Sequence, residues 1–502
     1  METQNPQSTA LAKAGLIAGI SLILGLLFDY FFFEKIPGLA FPLYVILIVA
    51  GLFTMAGILK KRINQEVFWL LIPLAFFSAM VFIRASELLL FLNAVASLAL
   101  LLIIAKVSFG EKMKNFSIEH YVKIFFLPFK FIRPLFQTLS DLFALRGADK
   151  NRKILWQVIK GTVLTIPALV IFLLLFSSAD LIFQKYISDL IALDIDIEET
   201  IARAILIFIA TLIYIGAYSH VFQKTEDQTI VQKNKAGSLG HIENSILLGS
   251  VNVLFFIFIL VQLTYLFGGE SNISAQGFTY AEYARRGFFE LIAVAITSLL
   301  LLLATEKYVI KKEAGHALGF KILSTALVVQ TILIMASAFA RLSLYEEAYG
   351  FTTQRLYSHA FIILLAVIFC WLLLKIYKDK KENAFALRTF ISSILFLVGM
   401  NLLNPEAFIA RQNITRFTTT GKLDVQYLGY LSADALPDTI KILDITNEDL
   451  KKSFARSLYW RAQTDNSPDF SKWQSLNLSR MKTKKILDPK ILELEQYKDY
   501  QP

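Results

Sequence analysis

The sequence has little cysteine and little charge for its length. One cysteine, Cys370, occurs among 502 residues, so an intramolecular disulfide and a cysteine-rich zinc site are both excluded. Charged residues make up 18% of the chain and hydrophobic residues 56%, and the mean hydropathy is +0.56. Soluble globular proteins carry about 25% charged residues. The composition therefore indicates an integral membrane protein.

Motifs of common soluble chemistry are also missing. The chain has no Walker A loop, no Gly-x-Ser-x-Gly elbow and no dinucleotide-binding fingerprint, so nothing supports ATP-driven transport or the usual nucleotide chemistry. The histidines do not have the spacing of metal ligands. They are His120, His220, His241, His316 and His359. We therefore expect neither a metal centre nor a bound cofactor.

What the sequence does contain is a series of long apolar runs. Crossing about 30 Å of hydrocarbon takes about 20 apolar residues in a helix. Eleven runs meet that length: Ala14–Phe33, Leu39–Leu59, Val67–Ile83, Leu88–Ile104, Leu155–Phe176, Ile201–Tyr218, Ile246–Phe267, Phe288–Ala304, Phe320–Ala340, His359–Ile376 and Ala384–Leu403. They are continuously apolar, whereas the strands of a membrane barrel alternate. We therefore predict an all-α polytopic bundle, with Arg388 of the last span reaching the membrane interface.

Lys and Arg are distributed unevenly between the two sets of connections. The connections on the side of the N-terminus carry 27 of them, and the short connections on the opposite side carry eight. By the positive-inside rule the first side is cytoplasmic. With eleven spans, the tail from Asn404 to Pro502 then lies outside the cytoplasm. The net charge of +10 reflects this topology, and we expect no nucleic-acid partner.

The spans divide the chain into five segments. These are four spans in 1–106, a basic amphipathic cytoplasmic segment in 107–154, two spans and a loop in 155–240, five spans in 241–403, and the tail in 404–502. Within the second segment, Phe116–Leu145 suits either the inner-leaflet surface or a helical hairpin packed under the bundle. In the tail, Thr446 and Asp449 fit a capping box ahead of Leu450–Ala462, which predicts a small helical appendage.

Polar residues on the predicted outer side gather in three strings in the second half of the chain. Ionisable groups within or beside a membrane are costly and therefore mark candidate sites. Arginines there offer paired donors to a carboxylate or phosphate, and tyrosines suit the rim of such a pocket. The candidate ligand-binding residues are Tyr280, Glu282, Tyr283, Arg285, Arg286, Arg341, Tyr345, Glu346, Arg355, Asn404, Glu406, Arg411 and Asn413. Alternatively, Arg and Glu pair to hold helix ends together while the tyrosines form an interfacial belt.

Two of these strings echo one another. Gly277-Phe278-Thr279 and Gly350-Phe351-Thr352 lie 73 residues apart, and each leads into a span that runs in the same direction. This pattern suits a parallel repeat of the kind found in some transporters, or a chance match of abundant residues. Buried Asp or Glu near the midplane, which a cation path usually contains, is missing from the runs. An ion-coupled transporter is therefore disfavoured.

Five strings together carry a family resemblance. They are Gly277–Glu290, Leu344–Leu356, Asn404–Asn413, Lys422–Ala435 and Trp473–Arg480. In this order they resemble a bacterial membrane family catalogued as domain of unknown function 4173, with its relative 4153. The resemblance covers Glu243–Arg480, and residues 1–240 contain no motif that we assign to it. It implies a polytopic protein of the bacterial inner membrane and no particular activity.

The sequence favours a non-enzymatic membrane protein whose partners are the bilayer and an anionic lipid, small anion or protein at its outer face, for envelope sensing or transport. The alternative is a membrane-embedded transferase for a lipid-linked substrate, with Glu282 or Asp29 as base and arginines holding phosphate. The first external connection, Glu34–Gly38, is much shorter than the acidic loop such transferases usually have. A non-enzymatic role is therefore preferred.

Overall fold

The computed structural model of this protein describes residues 6–142, 197–222, 240–266, 288–308, 314–378, 382–465 and 468–500, with seven isolated positions between 161 and 180. Every regular element in these residues is a helix, which confirms the all-α class. They fall into two compact units. Unit 1 comprises Met1–Met113, His120–Glu226 and Thr464–Met481, and unit 2 comprises Lys114–Glu119, Asp227–Gln463 and Lys482–Pro502.

Within the described ranges, ten helices are long and apolar enough to cross a membrane. They are α1 (Pro6–Phe32), α2 (Ala40–Ile58), α3 (Gln65–Ile83), α4 (Glu87–Val107), α7 (Ile197–Phe222), α8 (His241–Leu266), α9 (Phe288–Tyr308), α10 (Ala314–Tyr349), α11 (Thr353–Tyr377) and α12 (Glu382–Leu403). Between α4 and α7 lie two shorter helices, α5 (Ile118–Ile124) and α6 (Ile132–Leu142), and two 3-10 turns, Met113–Asn115 and Leu127–Phe131.

Every regular element in the described part of the tail is helical. The tail contains α13 (Pro405–Thr420), α14 (Val425–Tyr430), α15 (Leu436–Thr439), α16 (Glu448–Asp465), α17 (Pro468–Ser471), α18 (Leu478–Leu487), α19 (Ile491–Glu495) and the 3-10 turns Ile440–Asp444, Trp473–Ser475 and Asp488–Lys490. The predicted cap of α16 is wrong by one residue. Asn447, not Thr446, accepts hydrogen bonds on Oδ1 from the backbone N–H groups of Asp449 and Leu450, each at 3.1 Å.

Ten of the eleven predicted spans coincide with these helices. The last one, α12, does form, and the Arg388 guanidinium lies over the Trp371 ring at 5.1 Å from its centroid. An indole face attracts the cation and shields it from hydrocarbon. The predicted span Leu155–Phe176 falls almost wholly outside the described residues.

Unit 1 is organised around α7. A Cβ added at Gly25 of α1 would lie 2.2 Å from the Thr211 side chain and 2.9 Å from the Ile207 carbonyl oxygen, so only glycine allows this approach to α7. The ammonium groups of Lys13 and Lys61 both donate to the Phe222 carbonyl oxygen, at 3.0 and 2.8 Å. They neutralise the negative end of the α7 dipole.

The stretch Thr464–Met481 packs on the opposite end of unit 1. The Leu39 backbone N–H donates to the Leu476 carbonyl oxygen at 2.9 Å, and Asn477 donates to the Arg84 carbonyl oxygen at 2.6 Å. A Cβ at Gly38 would lie 2.4 Å from that same Leu476 oxygen. These contacts join part of the tail to the connections after α1 and α3.

Unit 2 contains α8 to α12 around an apolar core formed by residues such as Leu248, Leu302, Leu327 and Phe369. A second apolar core lies in the tail portion of this unit and includes Ile409, Leu428, Leu436, Phe454 and Leu458. Each of these side chains is at most 2% exposed. Such burial stabilises the tail as a folded element attached to the ends of α10 to α12.

Candidate functional site

The structure describes eight of the thirteen predicted site residues. Tyr280, Glu282, Tyr283, Arg285 and Arg286 lie outside the described ranges, as does the first copy of the predicted repeat. The others lie in unit 2, on α10, on α11, at the end of α12 or on α13. Several of them meet where α10 turns into α11, and we call residues 347–356 with 404–416 the tail joint.

Asn413 and Gly350 form the centre of the tail joint. The Asn413 side chain accepts from the Phe351 backbone N–H at 2.8 Å and donates to the Phe351 carbonyl oxygen at 2.8 Å. Gly350 has a φ of 84°, and a Cβ there would lie 2.6 Å from Asn413 Oδ1. A residue with φ in this region is normally glycine because a side chain would be strained. The turn therefore has one residue that permits its shape and one that holds it.

Two arginines cap the carbonyl end of α10. Arg416 donates to the carbonyl oxygens of Glu347 and Ala348 at 2.8 and 2.6 Å, and Arg355 donates to that of Gly350. The Arg355 guanidinium also stacks on the Tyr345 ring, 4.1 Å from its centroid. Cations satisfy the last carbonyls of a helix and its negative dipole end. Arg355 and Tyr345 are thus brought together, and Arg416 is a joint residue that sequence reasoning missed.

Further polar contacts fix the tail on the joint. The Tyr427 hydroxyl accepts from the Thr353 backbone N–H at 2.7 Å, and burial raises the pKa of this phenol, which keeps it protonated. Arg411 forms an ion pair with Asp438 at 2.9 Å. Asn404 donates to the Asp434 carbonyl oxygen at 3.4 Å, and the Glu406 carboxylate accepts from the Ser432 backbone N–H. These predicted site residues have partners within the tail.

A buried acid–base pair lies on α10 and α11 below the joint. His359 Nδ1 is 3.2 Å from Glu346 Oε2, and the side chains are 11% and 6% exposed. His359 Nε2 is 3.3 Å from Ser343 Oγ and 3.2 Å from the Phe339 carbonyl oxygen. Glu346 Oε1 has no hydrogen-bond partner among the described residues. Burying an ionisable side chain in a membrane segment costs free energy, so such a side chain is a candidate for a functional role.

Sequence reasoning selected Glu346 and missed both His359 and Ser343. A search for metal-ligand spacing cannot find His359, because its partner Glu346 stands on another helix. A histidine at the first apolar position of a predicted span was the available signal. Arg341 lies five residues, about 1.4 turns, before Glu346 on the same helix and is also buried. Within the described ranges, no three His, Cys, Asp or Glu side chains form a group that could hold a metal ion.

Asp29, the other acid considered as a base, lies in unit 1 and is chelated. Arg203 donates to its carboxylate from Nε at 3.1 Å and from Nη2 at 2.8 Å. Charge-assisted hydrogen bonds from a guanidinium are among the strong ones in proteins, and here they engage this carboxylate. Its contacts suit an ion pair that joins α1 to α7.

Comparison with known proteins gives one family. No curated protein and no solved structure matches the chain significantly. A family profile described as Domain of unknown function (DUF4153) matches residues 71–442, which is more than half of the chain. The match begins within α3, well before the predicted start at Glu243, and ends before the string Trp473–Arg480. By sequence, therefore, the protein belongs to the DUF4153 family and is a multi-pass membrane protein.

Proposed function

We propose that this DUF4153 protein is a non-enzymatic sensor in the bacterial inner membrane, with a cytoplasmic N-terminus and a tail outside the cytoplasm. Its outer polar site binds an anionic small molecule or headgroup, and the tail joint transmits occupancy to the tail. The resemblance to the family numbered 4173 stays part of this proposal, because the profile that matches the chain is that of DUF4153. The asymmetry of 27 against eight basic residues supports the orientation.

The observation that carries the proposal is the position of the Glu346–His359 pair directly before the tail joint. Glu346 supplies both a buried carboxylate to His359 and a backbone oxygen that accepts from the Gly350 N–H at 2.7 Å. A shift of this residue therefore reaches the turn that Asn413 holds. A two-state element couples a site to a distant readout when a ligand favours one of its states.

The ligand chemistry follows from the arginines. Arg355, Arg411 and Arg416 donate hydrogen bonds within the tail joint and the tail, and these contacts account for them as structural residues. Arg341 is a permanently charged group buried in a span, five residues before Glu346 on α10. The sequence assigns Arg285 and Arg286 to the preceding outer connection, and arginines on this side would attract a carboxylate or phosphate. The pocket of the proposal therefore centres on Arg341.

A transferase is the second candidate, and the Ser343–His359–Glu346 series favours it. A serine activated by a histidine that an acid orients is the arrangement of acyl-transfer nucleophiles. However, Ser343 lies inside α10 and its hydroxyl also donates to the Phe339 carbonyl oxygen at 3.1 Å. Backbone N–H groups inside a helix are used by the helix and cannot stabilise an oxyanion. Sensing is therefore preferred.

The test is hydrogen–deuterium exchange of the full-length protein in nanodiscs, with inorganic phosphate as the anionic probe. We expect phosphate to slow exchange in residues 349–356 and 405–420, since occupancy rigidifies the tail joint. Arg341→Gln should abolish this response. Arg388→Gln, at the other end of the same unit's spans, should preserve it.

Unchanged exchange in the wild type, or an equal response in both variants, would contradict an anion site at Arg341. Intact mass measurement of the same samples separates the second candidate. A covalent adduct that disappears in Ser343→Ala would establish transfer chemistry and replace the sensing proposal.

A further inference from the structure

Unit 1 contains an apolar cavity of about 380 Å³ between its spans. The walls come from α1, α2, α4 and α7 and from the 3-10 turn Leu127–Phe131. Lining residues on α7 run from Leu206 to Val221, which at 1.5 Å per residue is about 22 Å along the helix. The cavity is therefore elongated in the direction of the spans and covers most of the hydrocarbon thickness.

This cavity suits a hydrocarbon ligand. The hydroxyl of Tyr218, which lines the cavity, offers little to water, since it already donates to the Ile48 carbonyl oxygen at 2.7 Å. Water occupies a buried space only when two or more polar groups bind it. An empty space of this size would forfeit van der Waals contacts along every wall. Between membrane spans, the apolar group available from the bilayer is a lipid acyl chain.

One end of the cavity is surrounded by basic residues. Ala105, Phe131 and Val221 line that end. Their sequence neighbours are Lys106, Lys130 and His220, and the His220 and Phe131 ring centroids lie 5.4 Å apart. Lys106 pairs with Glu111 at 3.2 Å, but an ammonium has three donors, so this contact does not exclude a phosphate.

Aromatic side chains place the same end at a membrane interface. Phe125, Phe126 and Phe129 flank the 3-10 turn and are 64%, 60% and 71% exposed, as expected where they meet lipid. Gly216 lets the turn approach α7, because a Cβ there would lie 2.9 Å from the Phe131 carbonyl oxygen. Apolar rings beside lysines are typical of a segment that binds anionic lipid.

We propose that unit 1 binds one anionic glycerophospholipid, with an acyl chain in this cavity and the phosphate among Lys106, Lys130 and His220. This site differs from the outer polar site in position and ligand. The basic residues recognise the charge of the headgroup, and the length of the cavity suits an acyl chain. Phosphatidylcholine, whose headgroup carries no net charge, should bind more weakly.

Titration of the full-length protein with phosphatidylglycerol and with phosphatidylcholine, followed by native mass spectrometry, tests the site. We expect one tightly retained phosphatidylglycerol. Lys130→Glu should weaken its binding about fivefold or more, because a charge is reversed at the headgroup. Lys123→Glu, a control in the same exposed segment, should have a smaller effect.

Ala210→Phe tests the cavity itself, since Ala210 is a buried lining residue and a phenyl ring would occupy the space of the chain. We expect retained lipid to be lost in this variant and kept in Ala204→Phe, an exposed position of α7. Equal retention in both, equal binding of the two lipids, or unchanged affinity in Lys130→Glu would overturn the proposal. If Ala210→Phe does not fold, Lys130→Glu, a substitution at an exposed position, still tests the proposal.

Discussion

Single residues determine the shape of the turn between α10 and α11. Gly350 adopts a left-handed conformation that is strained for residues with a side chain, and the Asn413 side chain hydrogen-bonds to both backbone groups of Phe351. The backbone groups of a turn must be satisfied when they are buried. Here the satisfying group comes from 62 positions further along the chain, so the turn is complete only when the tail is in place.

Gly350→Ala should therefore destabilise the protein. The left-handed φ and the 2.6 Å approach to Asn413 Oδ1 both oppose a Cβ, and we expect the free energy of unfolding to fall by about 1–3 kcal/mol. Thermal unfolding in detergent measures this change. Gly399→Ala in α12 is the matched control, since a Cβ there meets no atom within 4 Å and alanine favours a helix. Equal melting temperatures for the two variants would refute the role of the turn.

Pairs of helices depend on charges that the membrane makes costly. Lys375 of α11 is 3% exposed, and its ammonium donates to Glu306 of α9 at 2.7 Å. Neither charge would be stable in this setting without the other. The pair therefore fixes how α9 and α11 face each other at the end of unit 2 remote from the tail joint.

Removing one partner of this pair should cost more than removing an exposed ion pair beside it. We expect Glu306→Gln to lower the free energy of unfolding by about 3 kcal/mol, and Lys375→Met combined with it to restore most of the loss. Lys307→Gln is the control, because its contact with Glu119 is about half exposed and worth below about 1 kcal/mol. Thermal unfolding of the three variants measures these changes in stability. A double variant as unstable as the single one would contradict this pairing.

At the scale of elements, the sequence was sufficient to predict the spans, because length and hydropathy are the physical requirements for crossing a bilayer. It was not sufficient for the contacts of the site. Glu346 meets His359 only when two helices pack, and no spacing along the chain encodes that. The family signal in residues 71–240 was missed for a related reason: aliphatic residues in a span are interchangeable, so they leave no short motif.

At the scale of the whole molecule, the tail contributes to both units. In unit 1 its stretch Thr464–Met481 binds the connections after α1 and α3, and in unit 2 its apolar core adjoins the tail joint. In each unit these are the connections that the positive-inside rule assigns to the outer side. A tail outside the cytoplasm is thus the central claim of the proposed function.

Cysteine labelling tests that claim most directly. In a Cys370→Ala background, Tyr430→Cys places one thiol at a tail position that is 87% exposed. Lys112→Cys, in the connection after α4, is the control for the cytoplasmic side. With an impermeant maleimide applied to cells whose inner membrane is intact, we predict that Tyr430→Cys is labelled and that Lys112→Cys is labelled only after lysis. Labelling of Tyr430→Cys only after lysis would contradict the account.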